Sequence, residues 1–133
     1  VNGEDYLQEG YAYLYEQNFY RAEQSFLQAI LCDPSNPEYY FHASVTMHRN
    51  QAYQKALQLA QISVELAPDC ELYAQNLQEI VASILVQNAY RALSNGNKLQ
   101  AAKDFAEACL RDPFNVEAFH GYEYLQHLLR RES

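Results

Sequence analysis

The stretch AEQSFLQAILCDP at residues 22–34 returns as AAKDFAEACLRDP at residues 101–113, with Ala, Phe, Ala, Leu, Asp and Pro at matching offsets. A looser third copy, ALQLAQISVELAP at residues 56–68, has Ala60 in place of the Phe and Ser63 in place of the second Ala. The closing prolines, Pro34, Pro68 and Pro113, are therefore 34 and then 45 residues apart. A chain that writes one amphipathic segment three times stacks a single supersecondary unit on itself, because one unit alone cannot bury its apolar face. The 11 extra residues of the second interval amount to just over three helical turns, so they lengthen a helix without rotating its faces much.

Each copy resolves into two helices. The prolines end one helix, and a nearby Asn or Asp can cap the next: in DPSNPEYY, Asn36 is placed to cap and Pro37 suits a first turn, with Asp69 and Asn115 placed likewise. Polar breaks at YEQNFY, HRNQAY and SNGNKL separate the paired helices. The pattern predicts seven helices, near 4–16, 19–32, 37–49, 52–66, 70–94, 98–111 and 115–131. Small residues at Gly10, Ser44 and Ala89, and at Ala22, Ala56 and Ala101, let backbones approach while Phe26 and Phe105 fill the space beside them. The last helix is a lid with Phe119, Tyr122, Leu125 and Leu129 expected inward, and Gly121 within it is expected to cost about 1 kcal/mol.

These residues resemble the tetratricopeptide repeat (TPR) family, whose 34-residue unit is a helix pair with small and large apolar residues at fixed offsets. From Gly3 the family positions hold Tyr6, Gly10, Tyr13, Ala22, Phe26, Ala29 and Pro34. From Pro37 they hold Tyr40, Ser44, Met47, Ala56, Ala60, Ser63 and Pro68, and from Ala82 they hold Leu85, Ala89, Ala92, Ala101, Phe105, Ala108 and Pro113. The Leu that the family carries before its Gly is Glu9 in the first unit and Asn88 in the third. The resemblance implies an all-α, right-handed superhelix (an α-solenoid) forming one domain. Its repeats lie at about 3–36, 37–70 and 71–115, the last with an extended first helix, and a capping helix follows at 115–131.

Composition narrows the function classes. Seventeen acids against nine bases, a net charge of −8, disfavour a phosphate backbone and steer a basic or neutral partner in more readily than an acidic one. No apolar run is long enough to span a bilayer, so membrane insertion is not expected and a cytoplasmic home is. Cys32, Cys70 and Cys109 lack disulfide or zinc spacing and read as buried thiols in a reducing compartment. The histidines His42, His48, His120 and His127 are not spaced to share a metal, the four glycines form no phosphate loop, and no nucleophile has an activating partner. No catalytic residue, cofactor or metal is expected, and the chain is not expected to be an enzyme.

In the family, the first helices line a concave face where partner segments bind, at offsets five, nine and twelve of each unit. Here those offsets hold Leu7, Tyr11 and Leu14, then Phe41, Val45 and His48, then Val86, Tyr90 and Leu93, with Tyr15 and Arg49 one position further on. An apolar row of that length exceeds what soluble monomers usually expose, which points to a protein or peptide partner with an apolar extended or helical segment. The alternative for each residue is packing between neighbouring first helices. The family's clamp for acidic chaperone tails needs Lys and Asn where Leu7 and Tyr11 stand, and further polar or basic residues where His42, Ser83 and Gln87 stand, so that mode is not expected. The groove chemistry is more similar to small helical-repeat chaperones of type III secretion, which implies an adaptor or chaperone-like module. The insertion ELYAQNLQEIV at 71–81 places Tyr73, Leu77 and Ile80 on one face, either against helix 52–66 or as a self-association surface. A homodimer or scaffold role through that face is the alternative function, as is an adaptor domain of a larger protein, to which the opening Val1 hints. His120, Tyr124 and His127 continue the offsets into the lid, where bordering histidines would make binding depend on pH between about 5 and 7.

Overall fold

The computed structural model describes residues 2–132. Among them the chain forms seven helices: α1 (Gly3–Tyr15), α2 (Phe19–Cys32), α3 (Pro37–Arg49), α4 (Tyr53–Leu66), α5 (Glu71–Ser94), α6 (Lys98–Arg111) and α7 (Val116–Glu132). Every boundary lies within one residue of the expected one, because the caps stand where the sequence writes them. Asn2 and Asp5 form a reciprocal capping box on α1, and Asn36 accepts from the Glu38 amide ahead of Pro37. Asn115 accepts from the Ala118 amide at 3.0 Å. Asp69 does not occupy the corresponding place at α5, which starts after Cys70, whose carbonyl accepts from the Ala74 amide.

The turn inside each helix pair is built the same way three times. Gln17, Gln51 and Gly96 hold the left-handed conformation, with φ of 61°, 63° and 77°. The residue after each is the N-cap of the second helix: Asn18 and Asn97 cap with their side chains, whereas Ala52 has none to offer.

The chain divides into two compact units, one reaching to Leu77 and one beginning at Gln78, so α5 contributes its first turns to one and the remainder to the other. In the first unit α1 packs on α2, α2 on α3 and α3 on α4. Its core gathers Leu7, Ala22, Phe26, Ala29, Tyr39 and Ala43. Asn76 of α5 donates to Ser44 Oγ at 2.9 Å, and Ser44 itself donates to the Phe41 carbonyl, so this buried polar pair is satisfied. The inserted residues thus reach α3. In the second unit α5, α6 and α7 share a core of Ala82, Val86, Ala89, Ala101, Ala102, Phe105, Ala108, Ala118 and Leu125.

The lid helix turns Tyr122, Leu125 and Leu129 inward as expected, but not Phe119. Phe119 is half-exposed, and Ala118 and Leu125 point inward with Tyr122, Leu128 and Leu129 packed beside them. A Cβ at Gly121 would meet the Phe105 ring, so this glycine is the face on which Phe105 seats. No helix among the described residues is long and apolar enough to cross a membrane.

Candidate partner-binding site

Four aromatic rings from three helices of the first unit form a continuous row. Tyr11 of α1 lies 4.9 Å from His42 of α3 between ring centroids, His42 lies 5.1 Å from Phe41, and Phe41 lies 4.9 Å from Tyr73 of α5. Successive residues on a helix project about 100° apart, so adjacent Phe41 and His42 reach α5 and α1 respectively. Buried Phe26 of α2 forms the floor: the imidazole stacks on it at 6.1 Å, and the Tyr11 ring meets it edge-on at 5.7 Å.

The polar atoms of the row are paired within it. The Tyr11 hydroxyl is 2.5 Å from His42 Nδ1 and 2.8 Å from Nε2, and His42 Nε2 is 3.3 Å from Glu38 Oε1. In the tautomer protonated at Nε2, the ring donates to the carboxylate and Nδ1 accepts from the phenol. Burial pushes the His42 pKa below its ordinary value, against the opposing pull of Glu38 and Glu4. Burial, reinforced by Glu38 and Glu4, pushes the Tyr11 phenol up. The site is therefore neutral in its rings, with Tyr11 39% exposed and Phe41, His42 and Tyr73 half-buried.

The second unit repeats part of this plan. Tyr90 meets buried Phe105 edge-on at 5.4 Å, and its hydroxyl donates to Glu117 of α7 at 3.1 Å. Burial, followed by the bond to Glu117, pushes this phenol up as well. At both ends of the repeat an offset-nine tyrosine thus rests on the phenylalanine of its own second helix and bonds forward to another helix.

The structure sorts the expected row. Leu7 and Val86 leave it, at 2% and 6% exposure: both offset-five residues are enclosed in the cores, Leu7 with Tyr39 and Ala43 of α3, Val86 with Ala118 and Leu125 of α7. Leu14 and Leu93 are partly covered by the same cores. Val45 and His48 are half-buried, His48 with its ring 5.6 Å from Tyr53, while Tyr15 and Arg49 are exposed. Of the three residues expected either to pack against helix 52–66 or to form a self-association surface, one is removed from any surface. Ile80 is fully enclosed, whereas Leu77 and Tyr73 are half-buried, Tyr73 with its ring beside Phe41. His120, Tyr124 and His127 are exposed on α7. Among the described residues, no group of three or more His, Cys, Asp or Glu is placed to hold a metal ion. All three cysteines are free thiols but not buried as expected: Cys32 is exposed near the end of α2, and Cys70 and Cys109 are half-buried.

His42 and Glu38 were missing from the expected site, and Tyr73 was assigned elsewhere. His42 directly follows Phe41 and Glu38 precedes it by one turn, a spacing that could have joined them to the row. The placement of Tyr73 depends on where the insertion packs, which the repeat period does not specify.

No protein-family model matches the sequence, and no curated protein matches it by sequence. Solved structures do match in fold. The first TPR of Spaghetti (RPAP3) bound to the HSP90 peptide SRMEEVD superimposes with a TM-score of 0.53 at 15% identity, covering 97% of this chain and 94% of that one. The chain has the TPR fold. A TPR domain of Arabidopsis OM64 gives a TM-score of 0.56 at 18% identity, with 94% of each chain covered. The second TPR domain of human RPAP3, in complex with the HSP70 peptide SGPTIEEVD, gives 0.54 at 15% identity over 94% of this chain and 98% of that one.

Proposed function

We propose that this TPR-fold chain is a non-catalytic protein-interaction module that takes an apolar, extended or helical segment of a partner protein on its first helices, acting as an adaptor or chaperone-like domain in the cytoplasm. The observation that carries the reading is the half-exposed row of Tyr11, His42, Phe41 and Tyr73, contributed by α1, α3 and α5. Rings that already bond to one another present a rigid surface, so little side-chain entropy is lost when a partner docks. Two structures of similar fold hold peptides ending in EEVD. In this chain, Leu7, Ser83 and Gln87 stand where the clamp for such a tail needs cations, and Leu7 is enclosed as well, which supports a different ligand chemistry on a shared fold.

The test is affinity capture with the wild-type chain and the double variant Tyr11→Asp, Phe41→Asp, using Tyr20→Asp on exposed α2 as the control. The double variant is expected to lose the captured partner while keeping its helical circular dichroism, with a stability loss of roughly 1–3 kcal/mol. Tyr20→Asp is expected to retain the partner. Undiminished capture by the folded double variant would refute the proposal.

A further inference from the structure

Formal charge is distributed unevenly along the chain. Residues up to Leu77 carry ten acids and three bases, whereas those from Gln78 on carry seven and six. Within the first unit, α1 holds Glu4, Asp5 and Glu9 with no base. The three bases are poorly placed to neutralise the row. Arg21 of α2 lies over the Tyr13 ring at 5.8 Å, Lys55 is on α4, and Arg49 is the last residue of α3, three turns from Glu38. Glu38 is half-exposed, and its carboxylate is 3.3 Å from Nε2 of His42, whose charge is disfavoured by burial. Glu4 is exposed and accepts from Gln8 Nε2 at 3.2 Å, a neutral donor. Both carboxylates raise the phenol of Tyr11, so their field extends over the row itself. First-turn acids favour the helix dipoles, but that role does not require the flanking surface to lack cations.

Building on the docking role of this row, we propose that its partner is a cationic apolar segment of another protein, with Lys or Arg interleaved among aliphatic residues, its cations set against Glu38 and Glu4. Aromatic faces beside carboxylates suit such a side chain twice, through the ring quadrupole and through the charge. An acidic tail would instead meet repulsion from the same groups. The aliphatic residues of the segment cover the rings, and the cations fix its register.

The test is selection from a displayed random-peptide library on the whole chain, counter-selected against the folded Tyr11→Asp, Phe41→Asp variant. The expected winners are rich in Lys or Arg beside apolar residues. Their affinity should fall roughly two- to fivefold on Glu38→Gln, the size of a single exposed ion pair. It should fall further as salt rises from about 0.01 to about 0.15 M and the screening length shortens. Winners that are neutral or acidic, or an affinity indifferent to both Glu38→Gln and salt, would overturn the charge inference and leave the apolar docking row standing. Equal enrichment on wild type and double variant would overturn both. So would a concentration-dependent dimer in sedimentation that the double variant abolishes and that excludes every displayed peptide, since the occupant would then be a second copy of the chain.

Discussion

A methyl group added at Gly121 would lie 2.5 Å from Cε1 of Phe105, a ring already enclosed and unable to swing away. Gly10 stands in the same relation to Phe26. Alanine is the better helix former by about 1 kcal/mol, so propensity and packing oppose each other at these positions. Overpacking wins: Gly10→Ala and Gly121→Ala are each expected to destabilise by about 1–3 kcal/mol, read by urea denaturation. Unchanged or increased stability would contradict the seating of the two rings. His42 gives a residue-scale prediction of a different kind. Its pKa lies below the ordinary 6.5, so above that pH the group is neutral in both folded and unfolded chains. As pH falls through 6.5, the unfolded chain takes up the proton first and stability declines. The wild type is expected to lose more stability than His42→Gln between about pH 7 and pH 5; parallel profiles would contradict burial of the imidazole. At this scale the sequence was legible where a residue repeats, as with Phe26 and Phe105. It was not legible for Gly121, whose partner ring comes from a neighbouring helix, nor for Phe119, where one step of helical phase exchanges inside for outside.

The elements follow from punctuation. Three left-handed turns, at Gln17, Gln51 and Gly96, reverse the chain within each helix pair, and only the third uses the residue with the least steric cost there. The N-cap after each turn has nearly the same backbone, with φ and ψ of −93° and 80° at Asn18, −88° and 67° at Ala52, and −95° and 79° at Asn97. Asn18 and Asn97 accept from the amides of Arg21 and Gln100, so Ala52→Asn should gain the equivalent bond on α4. The expected gain is about 1 kcal/mol, seen as a rise in Tm of a few degrees. No rise would mean that the Ala52 turn cannot present the side chain as its two counterparts do. Helix limits were readable because caps and prolines are local. The role of the insertion was not. Its length preserves the helical faces of α5, but the partner of Tyr73 and Asn76 is α3, a contact across more than 30 residues that periodicity does not encode.

At the scale of the whole molecule, the repeats made the TPR fold legible, while the proposed site was defined by packing. The offset pattern put Tyr11 and Phe41 in one row with Leu7 and Val86, and could not separate the first two, which are partly exposed, from the last two, which are enclosed in the cores. The central claim is that a partner lies against the Tyr11–Tyr73 row, and the most direct measurement is site-specific photocrosslinking. Benzoylphenylalanine is placed at Tyr11 in one sample and at Tyr20, exposed on α2, in another, and each is irradiated with a selected peptide bound. The account predicts a covalent adduct from position 11 and none from position 20. An adduct from position 20 alone, or equal yields from both, would contradict it.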